Sequence, residues 1–445
     1  MTRSVFRSEL RSLFALALPL AAAQAGTQLM SIVDIAMLGR VGATELASAG
    51  LAHAFFFAFS VAGMGLAFGV DPLISQAIGA GEPLRARRAM WQGIWLVLCG
   101  TVVLTLPLVG ATFALPYLGV QPELVAPTTT YLLIRTVGLA PFLTFLVLRA
   151  YLQAVGITKP MLVSMIVANV VNFAGNVIFV FGVGPIPAMG VSGSALSTVF
   201  AQFCQLGILV HAVLKVRVDQ GQENIRRWNG SQVRQAFRVG FPVAVQLSAE
   251  IGIFALVGVL AARLGTNELA AHQLVLGLAS FTYTIALGIA AAGSVRVGLA
   301  VGARDHAATR AAGYAALVGG ATVMAITGGA FALFPTALGR LLTNQEIVIA
   351  TAVPLFMVAA VFQLSDGIQA VGAGALRGAA DTRFSLWANL LGHWAIGLPV
   401  ALWLGFHQRM GIVGLWWGLC AGLTVVAVAL FVRFDRLSAR VIQRI

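Results

Sequence analysis

Charged side chains are scarce in this sequence. They make up 10% of its 445 residues, against 59% that are hydrophobic. A soluble domain carries about a quarter charged residues, so no stretch of the chain reads as a domain built for water. Cysteine is nearly absent. Cys99, Cys204 and Cys420 lie in apolar runs without metal-ligand spacing, which argues against a disulfide framework or a zinc site and leaves them as small hydrophobes. No Ser-His-Asp order, P-loop, HExxH or CxxC occurs. Nothing therefore points to an enzyme, an ATP-driven pump or a bound cofactor.

What fills the chain is apolar run after apolar run. Twelve are long enough for the roughly 20 residues a spanning helix needs. They fall near residues 12–38, 46–70, 89–112, 125–150, 160–183, 190–214, 239–262, 268–295, 311–335, 347–374, 385–405 and 411–432. The first imitates a secretory signal, with arginines leading into "LFALALPLAAAQAG",. Its apolar run continues well past that point, and it has a counterpart later in the chain, so it is expected to stay. The fold class expected is an all-α membrane protein.

The net charge of +13 is not a nucleic-acid patch once its charges are placed. The N-terminus and alternate loops hold 23 Lys and Arg residues, and the opposite loops hold only Arg40, Arg263, Arg340 and Arg409. By the positive-inside rule both termini are cytoplasmic. The basic excess is a topology signal and a contact for anionic lipid. Arg135 alone falls inside a span.

The chain also repeats itself. Shifted by 223 residues, "RVGATELA" (Arg40 to Ala47) meets "RLGTNELA" (Arg263 to Ala270), and Pro19 meets Pro242. Further on, "MGVSG" (Met189 to Gly193) meets "MGIVG" (Met410 to Gly414). The expected architecture is twelve transmembrane helices in two pseudo-symmetric six-helix bundles. Residues 1–214 form an N-lobe, 215–238 a cytoplasmic linker and 239–445 a C-lobe. Six helices being an even number, both bundles share one orientation, a parallel repeat of the kind secondary transporters use for alternating access.

Three acids lie deep in apolar spans: Asp34, Glu250 and Asp366. A charge at the centre of a span costs at least about 2.5–3.5 kcal/mol on insertion scales, so each needs a reason. Two in one bundle suggest a common cation site or a proton relay. The repeat does not copy them: Glu250 aligns with Thr27, Asp34 with Val257 and Asp366 with Phe142. In the fifth run, Asn169, Asn172 and Asn176 share a helical face,. Such amides are interhelical glue or a polar lining, and Asp34 in the same lobe favours lining. His393 is either a proton relay or a packing residue. Arg135 suits neutralising an acid or reaching the interface better than binding substrate.

"FQLSDGIQAVGAGALRGAADTR" (Phe362 to Arg383) resembles the tenth-helix signature of the multidrug and toxic compound extrusion (MATE) transporters, especially their NorM-like branch. "VDIAMLGRVGATELASAGLA" (Val33 to Ala52), "VNFAGNVIFVFG" (Val171 to Gly182) and "AEIGIFALVGVLAARLG" (Ala249 to Gly265) resemble the first, fifth and seventh helices. The resemblance covers nearly the whole chain. It implies a MATE-like fold and cation-coupled export, driven by H+ or Na+, of amphipathic, often cationic drugs and dyes. It also implies a bacterial inner-membrane location, contact with membrane lipids, no nucleic acid and action as a monomer. Carried over residue by residue, Asp34, Asn172 and Asn176 match the polar site of the N-lobe. Glu250 and Asp366 match the cation-binding acids of the C-lobe, and would be metal ligands if the ion is sodium. One departure is Phe362, where NorM-like relatives often carry a tyrosine that adds an oxygen ligand. Ser365 and Gln363 could compensate. Lipid-linked oligosaccharide flippases share the duplicated architecture and remain the alternative, though Arg135 is a single deep cation against three deep acids.

The charge asymmetry makes a direct prediction. A cysteine introduced at Gln222 is expected to react with an impermeant thiol reagent only from the cytoplasm, and one at Gln121 only from outside. The reverse labelling pattern would invert the orientation.

Overall fold

A computed structural model describes residues 3–218 and 224–445, with side chains from Glu9 onward. Residues 219–223 of the linker, Gln222 among them, lie outside the described residues. Among the described residues, twelve helices are long and apolar enough to cross a membrane. In chain order they are Glu9–Leu38, Ala43–Gly79, Pro83–Leu118, Pro122–Ala154, Lys159–Phe181, Gly190–Lys215, Gly230–Leu264, Thr266–Gly302, His306–Leu333, Glu346–Gly378, Thr382–His407 and Gly411–Ser438. They are called the first to twelfth spans below. Each coincides with one apolar run of the sequence, the fifth and ninth runs overshooting their helices by two residues. Helix is the form these runs take because hydrocarbon offers backbone N–H and C=O groups no partner outside the segment itself.

Several spans are interrupted. The fourth breaks at Gly138 into Pro122–Val137 and Leu139–Ala154. The eleventh contains two π-helical stretches, Leu390–Gly397 and Trp403–His407. Pro19 and Pro242, matched by the repeat, both lie inside helices. The sixth and twelfth spans open on Gly190 at φ 52° and Gly411 at φ 59°, a left-handed geometry in which glycine has no Cβ to clash. Beside Gly190, the Glu45 carboxylate accepts the Val191 backbone N–H at 3.0 Å, satisfying a donor that the helix start leaves free.

The chain divides into two compact units, each with its own core. One consists of Ala22–Ile78 and Glu82–Ala244. Its core holds Met90, Leu132, Leu143 and Tyr151. The other consists of Val245–Ile445, the residues through Ala21 and the short piece Gly79–Gly81. Phe356, Phe362, Leu415 and Trp416 lie at its centre. These borders differ from the divisions at 214 and 239 drawn from the sequence, since they fall within the first and seventh spans. The physical reason on the linker side is a set of hydrogen bonds. Trp95 Nε1 donates to the Arg226 carbonyl at 2.9 Å, Gln92 Nε2 donates to the Arg227 carbonyl at 2.9 Å, and Gln92 Oε1 accepts from the Asn229 N–H at 2.9 Å. They fix the described end of the linker to the third span. In the other unit, Arg296 donates to Glu9 through Nε at 3.1 Å, holding the start of the first span against the eighth.

Close approach of backbones explains part of the glycine content. A Cβ on Gly65 would lie 2.2 Å from the Cα of Ala244, and one on Gly374 would lie 2.4 Å from the Ala290 carbonyl oxygen. Small residues permit this contact where lipid removes the hydrophobic drive to associate. Gly65→Ala is therefore expected to destabilise the protein by about 1–3 kcal/mol, the usual cost of overpacking. Gly110→Ala, with nothing within 4 Å of the added methyl, is expected to be neutral or slightly stabilising. Thermal unfolding of the two variants in detergent checks the contrast.

Candidate functional site

In the first unit, Asp34 sits near the end of the first span and is held by three side chains. Asn176 Nδ2 and Asn172 Nδ2 donate to its Oδ1 at 2.6 and 3.0 Å, and Thr198 Oγ1 donates to Oδ2 at 3.0 Å. Asn172 and Asn176 come from consecutive turns of the fifth span, so helical geometry presents both to one carboxylate. Asn176 Nδ2 also donates to Asn172 Oδ1 at 3.2 Å, closing a small network. Thr198, on the sixth span, escapes sequence reasoning because nothing in the spacing of that helix's polar residues singles it out.

The stripe of three asparagines divides. Asn169 turns to the first span, donating to the Gly26 carbonyl at 3.1 Å as well as to its own helix at Met165. It is interhelical glue, while Asn172 and Asn176 form the polar site. Arg135 also departs from expectation. It forms no ion pair with any carboxylate among the described residues. Its Cζ instead lies 4.3 Å from the Phe56 ring centroid, a cation–π contact,. Asp34 takes its hydrogen bonds from three neutral donors, and Arg135 lies within electrostatic range of it without an ion-pair contact.

In the second unit, four spans converge on Glu250. Its Oε2 accepts from Gln369 Nε2 at 3.1 Å and from Asn389 Nδ2 at 3.2 Å. The Tyr283 hydroxyl, from the eighth span, donates to the same carboxylate. Asp366 lies one turn before Gln369 on the tenth span, is only 5% exposed and is within electrostatic reach of Glu250. The two acids thus belong to one site. Gln369 was visible in the quoted tenth-helix stretch, three residues after the acid and hence on the same face. Tyr283 and Asn389 were not, since neither belongs to a polar stripe at helical spacing that would single it out.

Other candidates lie elsewhere. Ser365 Oγ pairs with Thr424 Oγ1 at 2.8 Å, and Gln363 Nε2 donates to Thr282 Oγ1. Neither hydrogen-bonds Glu250, although Gln363 Oε1 is left without a partner among the described residues. Phe362 packs edge-on to Phe254 and Trp416, with ring centroids 6.1 and 5.6 Å apart. His393 is buried in the first π-helical stretch beside Phe254. Neither of its ring nitrogens has a hydrogen-bond partner among the described residues, so it is not part of the Glu250 hydrogen-bond network.

The second-unit site is rich in oxygen. Around two carboxylates stand the Tyr283 hydroxyl and the carbonyl oxygens of Gln369 and Asn389, which accept no hydrogen bond of their own. Such a set can take up a proton or a hard cation. Asp34, with neutral donors on both of its oxygens, is a second and separate carboxylate of the same kind.

Comparison with known proteins identifies the family. The profile of the MatE family matches residues 19–178 and 242–403, one segment in each half of the repeat. The chain is 34% identical over 435 residues to the probable multidrug resistance protein NorM of Bradyrhizobium diazoefficiens, covering 96% of this chain and 93% of that one. It is likewise 34% identical to the multidrug resistance protein NorM of Burkholderia vietnamiensis, over 94% and 92% of the two chains. Among solved structures, a mutant of the Vibrio cholerae MATE transporter VcmN has the same fold at a TM-score of 0.89, with 20% identity over 98% and 99% of the chains. The eukaryotic MATE transporter AtDTX14 matches at 0.84 and 22% over 98% of each. Two family segments, near-full-length identity and a common twelve-span fold place this chain in the MATE family of transporters, on its NorM-like side.

Proposed function

We propose that this protein is a cation-coupled multidrug antiporter that exports amphipathic, often cationic compounds by alternating access. The observation that carries the coupling is the shared burial of Glu250 and Asp366 on the seventh and tenth spans of one unit. Two buried carboxylates within electrostatic range of one another in a low-dielectric setting repel, so the pair is driven to bind a positive charge,. Releasing that charge on the other side of the membrane restores the repulsion, which makes ion occupancy a switch between two states. The relatives named as multidrug resistance proteins support the export of drugs and give the flippase alternative no support.

Proton coupling follows from the like-charge pair alone. Sodium is a second reading with an observation of its own. Tyr283 supplies a phenolic oxygen in place of the one missing at Phe362, and two amide carbonyls stand free beside the acids. One charge moving down 100 mV provides about 2.3 kcal/mol, enough for roughly a fortyfold drug gradient at 1.4 kcal/mol per tenfold.

Efflux from proteoliposomes, with sodium and proton gradients imposed separately, tests the proposal. Glu250→Gln and Asp366→Asn are each expected to reduce gradient-driven ethidium efflux to the uncoupled baseline while the protein still inserts. Driven efflux at the wild-type rate in either variant would remove the carboxylate pair from the mechanism.

A second pair of variants separates the two aromatic positions. Tyr283→Phe deletes a donor to a charged group, an interaction of about 1.5–3 kcal/mol. It is expected to raise the sodium concentration for half-maximal efflux by about tenfold or more, because an oxygen ligand is lost, and to lower the proton concentration for half-maximal efflux, because the ionised carboxylate loses a donor. Phe362→Tyr, whose new hydroxyl would emerge between Phe254 and Trp416, is expected to leave both concentrations unchanged. Titrating efflux against each ion measures both.

A further inference from the structure

Three cations in the first unit have no acid to answer them. Arg227 lies just before the seventh span, and Arg234 and Arg238 lie one turn apart near its start. All three are exposed, and among the described residues none pairs with a carboxylate or rests on an aromatic ring. Arg226 beside them is placed differently, with its Cζ 5.1 Å from the Trp91 ring centroid. The second unit pairs several of its basic side chains internally. Arg310 bonds Asp435 and Arg433 bonds Asp381, each at 2.7 Å, and Arg296 bonds Glu9. There the counter-charge belongs to the chain. At the start of the seventh span it does not.

The same surface is aromatic. Phe237 and Phe241 are 43% and 49% exposed, and their ring centroids lie 5.3 Å apart. Arg234, Phe237, Arg238 and Phe241 recur at the helical repeat, so one side of the seventh span carries all four,. Just outside the helix, Trp228 is also exposed and meets Trp95 of the third span edge-on, with centroids 6.1 Å apart. The adjoining face of the helix is the packed one: a Cβ on Gly69 would lie 2.1 Å from the Gly240 Cα. Arginines therefore stand at the end of the span, with Phe241 furthest in, on a side that the rest of the unit leaves open.

We propose that this face is a defined binding site for one anionic phospholipid, its phosphate held by Arg234 and Arg238 and its acyl chains laid along Phe237 and Phe241. The inference is independent of the transport reading. Guanidinium groups suit phosphate oxygens, which they can bind through paired N–H donors. Arg227 and the positive end of the helix add to the same field. Aromatic side chains belong at the depth where headgroups give way to hydrocarbon. Charge and apolar surface together select the occupant. A soluble phosphate would answer the arginines and leave both phenylalanine rings bare. A zwitterionic lipid would cover the rings but bring its own cation toward the arginines. An anionic phospholipid satisfies both. The general basic excess attracts such lipids anywhere along the surface, whereas this site fixes one beside the tryptophan contact that ties the linker to the third span.

Native mass spectrometry of the purified full chain tests the site, using micelles with equal amounts of phosphatidylglycerol and phosphatidylcholine of identical acyl chains. The wild type is expected to retain phosphatidylglycerol over phosphatidylcholine by about tenfold or more. Combining Arg227→Gln, Arg234→Gln and Arg238→Gln should bring the ratio close to one. A charge-matched control combines Arg304→Gln, Arg436→Gln and Arg440→Gln, all at exposed positions of the second unit, and should keep the wild-type ratio. A wild-type ratio of one overturns the proposal. Equal losses in the two triple variants also overturn it, since they would mean diffuse attraction without a site. Thermal unfolding separates lipid from soluble phosphate. Phosphatidylglycerol should raise the melting temperature of the wild type but not of the first triple variant, and sn-glycerol 3-phosphate should raise neither. Equal stabilisation of the wild type by sn-glycerol 3-phosphate would make the occupant a soluble phosphate and overturn the lipid assignment.

Discussion

A polar group inside hydrocarbon has no solvent to fall back on, and the rest of this structure follows from that constraint. Backbone groups meet it by forming twelve helices. Side chains meet it by finding one another across helices, which is why the few polar residues here collect in networks. Asp34 gathers donors from two other spans and Glu250 from three. In both units, an acid on the first helix of the repeat is held by an amide on the fifth. Asn172 and Asn176 serve Asp34, and Asn389 serves Glu250.

The two networks nonetheless differ in kind. Asp34 is surrounded by neutral donors, so its charge is shared among hydrogen bonds. Glu250 has a like-charged neighbour in Asp366, and hydrogen bonds alone cannot remove that repulsion. The duplicated fold thus supplies two similar frames, and side-chain divergence gives them different electrostatics. At the aligned positions, Thr27 bonds only to its own helix, at the Ala23 carbonyl, and Val257 is ordinary core.

Much of this was legible in the sequence because hydrophobicity and charge are one-dimensional signals in a membrane protein. Span number, the repeat and the deep acids can be counted along the chain. Asn172, Asn176 and Asp34 could be grouped because helical spacing and the family resemblance pointed the same way. Tyr283, Asn389 and Thr198 could not. Each is one of several polar residues in its helix, with no periodic spacing to single it out, and only packing decides which neighbour it meets. The same limit explains Ser365 and Gln363, which are near Asp366 in sequence but turn toward Thr424 and Thr282. It also explains Arg135, which a charge count assigns to an acid and the structure lays on a phenylalanine ring.

The borders of the two packed units carry a further consequence. They fall after Ala21 and after Ala244, and these positions are related by the same 223-residue shift that relates the two halves of the sequence. Each repeat therefore contributes its opening half-helix to the other repeat's unit, a reciprocal swap built into one polypeptide. Neither half, expressed alone, would contain all of the chain from which its own unit is made.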